Sequence, residues 1–329
     1  MIKIGLIGCG FMGSMHANSY NIIDGVQVTA VADIRRDKAE ELAKISGAEI
    51  YSTGMELIAN ADVDAIDICL PTFLHTEHAI AAMHKVKNVF IEKPVAFTPA
   101  ECDALLKAQE ETGAGVQVGQ VVRFWDEYVC LKDAIDTGKY GKVINAVFRR
   151  LSPRPTWTWE NWDLELTRSR GAMLDLHVHD TDFMLHAFGR PNNFNTVISH
   201  GGEGNSYTMT IANYDGFVVT SEGTWDLPAS FPFEMAFRVT FEKAVMEYTN
   251  QGFTLYTDEA ATPIKLNKRE IAVQGGGNIS DLGGYFNELE YFANCLVAGK
   301  KPDKATLPDA CASVKFIFEE MDKAGNAIL

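Results

Sequence analysis

The chain has 329 residues, more than the roughly 100–200 usual for one domain, so two domains are expected, each with its own core. A formal net charge of -15 repels phosphate backbones and anionic lipid, which argues against nucleic acid and membrane surfaces as partners. The six cysteines (Cys9, Cys69, Cys102, Cys130, Cys295, Cys311) form no CxxC pair and lie mostly in apolar runs, so they read as reduced thiols of a cytoplasmic protein.

The first residues, MIKIGLIGCG, lack the basic region and long apolar core of a signal peptide, and no apolar run approaches the ~20 residues of a membrane span. From Met1 to about Gln120, apolar runs (IKIGLI, VQVTAVA, VDAIDICL, KNVFIE, GVQVG) alternate with helical patterns such as DKAEELAKI and PAECDALLKAQEE. That alternation predicts a parallel sheet covered on both faces, an α/β Rossmann domain over 1–120.

Gly8, Gly10 and Gly13 form G-x-G-x-x-G directly after the first strand and at the head of a helical pattern. Three glycines so placed allow a tight turn, backbone approach to a pyrophosphate and close helix–strand packing, while the helix N-terminus offers unpaired N–H groups. Asp33 ends the second strand about 20 residues after Gly13, the spacing of a carboxylate that accepts from the adenosine ribose hydroxyls. It would repel a 2′-phosphate, which favours NAD; Arg35 and Arg36 follow at once and could bind such a phosphate, so NADP stays open. Phe11, Met12, Ile34 and Leu70 complete the candidate cofactor lining around these residues.

Ligands of an open parallel sheet lie beyond the carboxyl ends of its strands. Pro71, Thr72 and His75 follow the strand VDAIDICL, and Glu92-Lys93-Pro94 follows KNVFIE. Pro94 keeps Lys93 out of helical geometry and aims its side chain.

After Gln120 the pattern changes. A helix (DEYVCLKDAIDTG) leads to the strand KVINAVFRR, a Trp- and Arg-rich loop, and a helix from about Gly171 to Phe188. The runs FNTVIS, SYTMTIAN, FVVTSEG, EMAFRVTF, KAVMEYT and GFTLYT then follow without intervening helices and predict an antiparallel sheet. Two helical patterns close the chain, Tyr285 to Ala298 and Pro308 to Ala324, and can pack back on the first domain. The glycines of Gly275 to Asn278, with Gly283 and Gly284, read as a mobile loop or a plain connection. This gives an α+β domain over 121–329.

If residues 171–188 form one helix, Asp175 and His179 stand four apart on one face and share a pocket. His177, Asp180, Asp182 and His186 in the same segment are possible metal ligands, but no HExxH or thiolate pattern supports them, and no metal is expected. Oxidising a secondary alcohol requires removal of its hydroxyl proton as hydride leaves the carbon. Histidine titrates near neutrality and can take that proton, and a lysine cation stabilises the developing alkoxide. His179 is therefore assigned as general base, Lys93 as electrostatic and orienting group, and Asp175 as the residue that orients His179 or contacts substrate. Arg123, Phe124 and Trp125, and the loop with Trp157, Trp159, Trp162, Arg154, Arg168 and Arg170, suit a sugar, polyol or sugar acid, since indoles stack on sugar C–H faces. Arg123, Trp125 and Trp162 are the candidate substrate contacts. The alternative is that these side chains pack a domain seam or a subunit contact.

The set IGLIGCGFMG, Asp33, Pro71-Thr72 with His75, Glu92-Lys93-Pro94, Asp175-x-x-x-His179, Tyr285-Phe286-x-Glu288 and the turn from Gly299 to Pro302 resembles the glucose-fructose oxidoreductase / inositol dehydrogenase / rhizopine catabolism family, Gfo/Idh/MocA, across nearly the whole chain. The resemblance implies a Rossmann domain followed by a large, mostly antiparallel open sheet used in part to form a homodimer or homotetramer. It also implies NAD(H) or NADP(H), a catalytic lysine at Lys93 and an acid/base at His179 beside Asp175. Some relatives carry tyrosine there, and histidine looks more like the inositol dehydrogenases. Two other outcomes stay open: a glycosidase-like enzyme in which NAD-driven oxidation is transient, and a non-catalytic dinucleotide-binding regulator, against which the presence of Lys93, Asp175 and His179 argues.

Overall fold

The computed structural model describes residues 1–156, 158–199, 207–266 and 283–325. Trp157 and the glycines of 275–278 lie outside them. The chain divides into two compact units, Met1–Val121 with Glu270–Val314, and Val122–Arg269 with Lys315–Leu329.

The first unit holds β1 (Ile2–Ile7), α1 (Phe11–Tyr20), β2 (Val26–Ala32), α2 (Arg36–Ser46), β3 (Glu49–Tyr51), α3 (Gly54–Asn60), β4 (Ala65–Ile68), α4 (His75–Lys85), β5 (Asn88–Ile91), α5 (Pro99–Thr112) and β6 (Gly115–Val118). Its sheet runs β3-β2-β1-β4-β5-β6, every pair parallel. This is the Rossmann order, and the sequence order reverses between β1 and β4, where a crevice opens beyond the strand ends. The five apolar runs all form strands; the three-residue edge strand β3 is too short to show a period. Central strands are buried on both faces, down to Asp67 in β4. Local chemistry sets the helix starts: Thr98 accepts from the Glu101 N–H at 3.2 Å, with Pro99 in the first turn of α5.

The second unit opens with α6 (Asp126–Asp136) and β7 (Val143–Pro153), followed by α7 (Ala172–Asp175) and α8 (Val178–Phe188). Seven strands follow: β8 (Asn193–Ser199), β9 (Tyr207–Tyr214), β10 (Phe217–Leu227), β11 (Glu234–Phe241), β12 (Val245–Thr249), β13 (Gly252–Tyr256) and β14 (Ala261–Pro263). They join β7 in one sheet, β14-β13-β12-β11-β7-β10-β9-β8, mostly antiparallel but with a parallel β7–β10 pair at its centre. Alternation along β7 buries Ala146, Phe148, Arg150 and Ser152 on one face. There Phe148 and Phe237 gather with Tyr128 of α6 and Phe183 of α8, whose rings meet edge to face at 4.8 Å. The pairing puts Val197, Met209, Ile211, Thr220, Val147 and Arg238 together on the opposite face, and Val197 and Ile211 are exposed.

Two expectations are corrected. The predicted helix of 171–188 breaks between Asp175 and Val178: the His177 N–H bonds to the Ala172 carbonyl and the His179 N–H to that of Leu176, so the regular i→i−4 ladder is lost. Gly283 and Gly284 are the first residues of α9 (Gly283–Val297), not part of a loop; Phe286, Leu289 and Phe292 of α9 pack against Ile4, Val28 and Phe90 in the core of the first unit. The last helix, α10 (Leu307–Lys323), contains the boundary between the two units at Val314. No described helix is long and apolar enough to cross a membrane, and all six cysteines are free thiols.

Candidate functional site

The glycine turn lies at the β1–β4 switch point. Gly8 has φ +94°, and a Cβ there would stand 2.4 Å from the Cys69 carbonyl oxygen that follows β4. A Cβ at Gly13 would stand 1.8 Å from the Gly8 carbonyl oxygen, so α1 packs on the turn only because residue 13 has no side chain. Gly10 is different. The nearest described atom to a Cβ there is Arg35 Nη2 at 3.6 Å, and Gly10 caps α1 without a side-chain hydrogen bond. Open space over uncapped N–H groups is what a dinucleotide pyrophosphate requires, and the turn fits that group. Phe11 and Met12 stand half-buried in the first helical turn beside it.

Asp33 leaves the end of β2 with both carboxylate oxygens engaged. Oδ2 accepts from the Cys9 N–H at 2.9 Å, and Oδ1 from the Arg35 N–H at 2.8 Å. Burial alone would raise its pKa; the Arg35 guanidinium and these backbone donors outweigh that and hold the carboxyl below its ordinary value. Arg36 pairs with Glu40 at 2.9 Å, and Ile34 is exposed.

Beyond β4 and β5, the loops carrying Leu70-Pro71-Thr72 and Glu92-Lys93-Pro94 are tied together by His75. Its Nδ1 lies 2.9 Å from the Pro94 carbonyl oxygen and its Nε2 2.6 Å from that of Leu70. The ring is fully buried, and burial pushes its pKa down against the two carbonyl oxygens, which favour the protonated ring. The Lys93–Pro94 peptide is cis, and the Lys93 side chain is partly exposed.

Beneath this rim lies a buried polar cluster that sequence reasoning missed. His16 of α1 places Nδ1 2.8 Å from Asp67 Oδ2 and Nε2 3.1 Å from Glu92 Oε1; the second contact is an ion pair without hydrogen-bond alignment. Tyr20 donates to the same Asp67 oxygen at 2.9 Å, and Cys69 Sγ sits 3.2 Å from His16 Nδ1. Burial would lower His16, but Asp67 and Cys69 outweigh it and the ring titrates well above 6.5, as an imidazolium. Glu288 of α9 brings a carboxylate oxygen within 4.8 Å of His16 and Glu92, and neither of its oxygens has a hydrogen-bond partner among the described residues. Burial, then the Glu92 charge, push its pKa well up. His16, Glu92 and Glu288, or His16, Asp67 and Cys69, are spaced as a cation site would be. The signal available in sequence was an aspartate inside the strand AIDI, where a charge needs a buried partner.

In the second unit, Asp175 ends α7 partly exposed and His179, 8% exposed, begins α8. They are close in sequence but belong to different helices. Between them His177 is fully buried, Nε2 3.2 Å from Glu320 Oε1, which also accepts from Thr210 at 2.6 Å. Of the other possible metal ligands, Asp180 takes the Arg150 fork at 3.1 and 2.9 Å, and Asp182 takes the Arg123 fork at 2.7 Å on both oxygens. Arg123 is thus partly buried and Trp125 buried just before α6, whereas Trp162 is half-buried in the loop before α7. Arg168 lies over the Trp159 ring at 5.5 Å. Asp163, beside Trp162, was not singled out in sequence. Burial and then the nearby Asp175 charge raise its pKa to about 6, against a hydrogen bond from Thr158.

Residues 2–120 match the oxidoreductase family NAD-binding Rossmann fold, and residues 128–247 match the GFO/IDH/MocA C-terminal domain. The chain belongs to the Gfo/Idh/MocA family of oxidoreductases. It is 32% identical over 192 residues to myo-inositol 2-dehydrogenase of Thermotoga maritima, covering 57% of this chain and 55% of that protein. With inositol 2-dehydrogenase of Salmonella paratyphi B it shares 37% identity over 147 residues, 44% of each. The chain thus spans about half the length of the curated relatives it matches. Its fold is that of levoglucosan dehydrogenase solved with NADH and levoglucosan, with a TM-score of 0.83 at 20% identity, over 99% of this chain and 97% of that one.

Proposed function

We propose that this protein is an NAD-dependent dehydrogenase that oxidises a secondary alcohol of a cyclic polyol or sugar, and that it is inositol dehydrogenase-like. The observation that supports this most is the glycine turn, open over Gly10 at the uncapped head of α1, with Asp33 at the tip of the neighbouring strand. NAD is preferred over NADP because Asp33 stays ionised where a 2′-phosphate would lie, and Arg35 and Arg36 are each already paired with a carboxylate.

The bound nicotinamide supplies the carbon that accepts hydride. Lys93 presents its ammonium group to the substrate oxygen and stabilises the alkoxide as the proton leaves. His179 takes that proton at a ring nitrogen, Asp175 orients the imidazole, and in reduction His179 returns the proton. Trp162 offers an indole face to the sugar ring. The half-apolar open face of the eight-stranded sheet, with Val197 and Ile211 exposed, is the surface through which copies of the chain associate.

Nicotinamide absorbance with NAD⁺ and NADP⁺, against inositols, aldoses, uronic acids and glycosides, tests this with Lys93→Ala as control. Reduction of NAD⁺ by one class, lost in the variant, is expected. NAD binding with silence across the panel would instead favour a redox-assisted glycosidase or a regulator, and full turnover by Lys93→Ala would remove that residue from the mechanism.

A further inference from the structure

We propose that Glu92 is a positioning residue: its carboxylate links the His16 ring on the dinucleotide-binding helix to the backbone N–H of Lys93, and so fixes the lysine relative to the glycine turn. The inference rests on the assignment of Lys93 to catalysis.

The geometry supplies both ends of the link. Glu92 Oε2 accepts from the Lys93 N–H at 3.1 Å, folding the carboxylate back against the residue it precedes. Glu92 Oε1 faces His16 Nε2 at 3.1 Å, and His16 sits one helical turn after Gly13. Neighbouring elements close around the Glu92–His16 pair. A Cβ at Gly119, just past β6, would stand 2.8 Å from Oε1, so that strand end approaches closely because residue 119 is glycine. Phe90 stacks edge-on to the His16 ring at 5.3 Å, and Asp67 and Tyr20 anchor the ring from β4 and α1. Glu288 closes the cluster from α9. His16 is fully buried and Glu92 nearly so, and a rigid buried pair is a better reference point for a partly exposed lysine than solvent-facing contacts would be.

The test uses the full-length chain, with kcat, substrate KM, NAD dissociation constant and melting temperature measured for wild type, Lys93→Ala, Glu92→Gln, His16→Gln and the double variant Glu92→Gln/His16→Gln. Glu92→Gln keeps an acceptor for the Lys93 N–H and removes the charge facing His16. The expected result is a fall in kcat of about ten- to a hundredfold, the cost of a misplaced catalytic group, with NAD affinity held within about twofold. The double variant is expected to be no slower than the worse single one, because both break the same link. In NMR of reductively ¹³C-methylated protein, the Lys93 signal, assigned by its absence in Lys93→Arg, is expected to move in Glu92→Gln whether or not a substrate has been found.

An unmoved Lys93 signal, an unchanged kcat, or additive losses in the double variant would overturn the proposal. So would a loss confined to NAD affinity and melting temperature, which a purely structural role would produce, or one equivalent of divalent metal in the purified protein. Lys93→Ala at full turnover would instead refute the catalytic assignment itself, whereas an inactive Lys93→Ala beside a normal Glu92→Gln would refute the positioning role alone.

Discussion

The Arg35 guanidinium lies along the Asp33 carboxylate, Nε to Oδ1 at 3.0 Å and Nη2 to Oδ2 at 2.9 Å. The acid proposed to bind the ribose hydroxyls therefore carries its own counter-charge, on the side chain that would otherwise meet a 2′-phosphate. Asp33→Ala is expected to weaken NAD by about 10–100-fold, the worth of hydrogen bonds to a charged acceptor, and to narrow the gap to NADP. Arg35→Ala is expected to weaken NADP more than NAD. Calorimetric titration of both dinucleotides checks the pair, and unchanged NAD affinity in Asp33→Ala would mean that the ribose lies elsewhere.

The glycines of the turn separate stability from binding. Gly13→Ala sets a methyl group 1.8 Å from a backbone oxygen that cannot move without breaking the turn, so it is expected to lower the melting temperature and abolish dinucleotide binding together. Gly10→Ala meets nothing described closer than Arg35 Nη2 at 3.6 Å, so it is expected to melt like wild type and still bind poorly, because the methyl group fills space the pyrophosphate uses. Thermal melts and titrations on the two variants provide the check. Wild-type affinity in Gly10→Ala would place the dinucleotide away from this glycine.

Buried histidines set the pH dependence of stability. Burial would lower His177, but Glu320 outweighs it and the folded pKa stands above 6.5; His16 shifts the same way through Asp67. The folded state thus holds protons that the unfolded chain releases. This stabilisation is complete below about pH 6.5 and is lost as pH rises through the higher folded values. Unfolding free energy is expected to fall from pH 6.5 into the alkaline range. Glu320→Gln, which removes one partner of a fully buried pair, is expected to cost about 3–5 kcal/mol at pH 6 and to flatten that slope. Urea midpoints across pH are the measurement, and an equally steep slope in the variant would assign it to other groups.

Much of this was legible in sequence because it is local. The turn from Gly8 to Gly13 and the Asp33 spacing are short-range patterns, and each central strand is an apolar run. The cluster around His16 was not legible: Glu92 and Glu288 reach it from distant parts of the chain, and no periodicity encodes that meeting. The break in the predicted helix was not legible for another reason: an i,i+4 argument assumes an unbroken helix, and the ladder slips where His177 turns inward to Glu320. Arg123 gives its Nε and Nη2 to Asp182, a partner far along the chain that no local pattern marks.

Asp163 offers a further test of the proposed chemistry. Its pKa of about 6 means that it gains charge near neutrality, and it does so close enough to Asp175 for the two to repel. Added negative potential at Asp175 favours the imidazolium that His179 becomes on taking the substrate proton. Alcohol oxidation is therefore expected to rise with pH as the base His179 is freed of its proton, and Asp163→Asn, which removes a negative charge nearby, is expected to move that inflection to lower pH while leaving the plateau rate within a few-fold. Profiles of kcat/KM against pH for the two proteins decide it. An inflection that does not move in Asp163→Asn would uncouple Asp163 from the proton transfer, and Asp163 would then be a buried acid that braces the Trp162 loop through its hydrogen bond from Thr158.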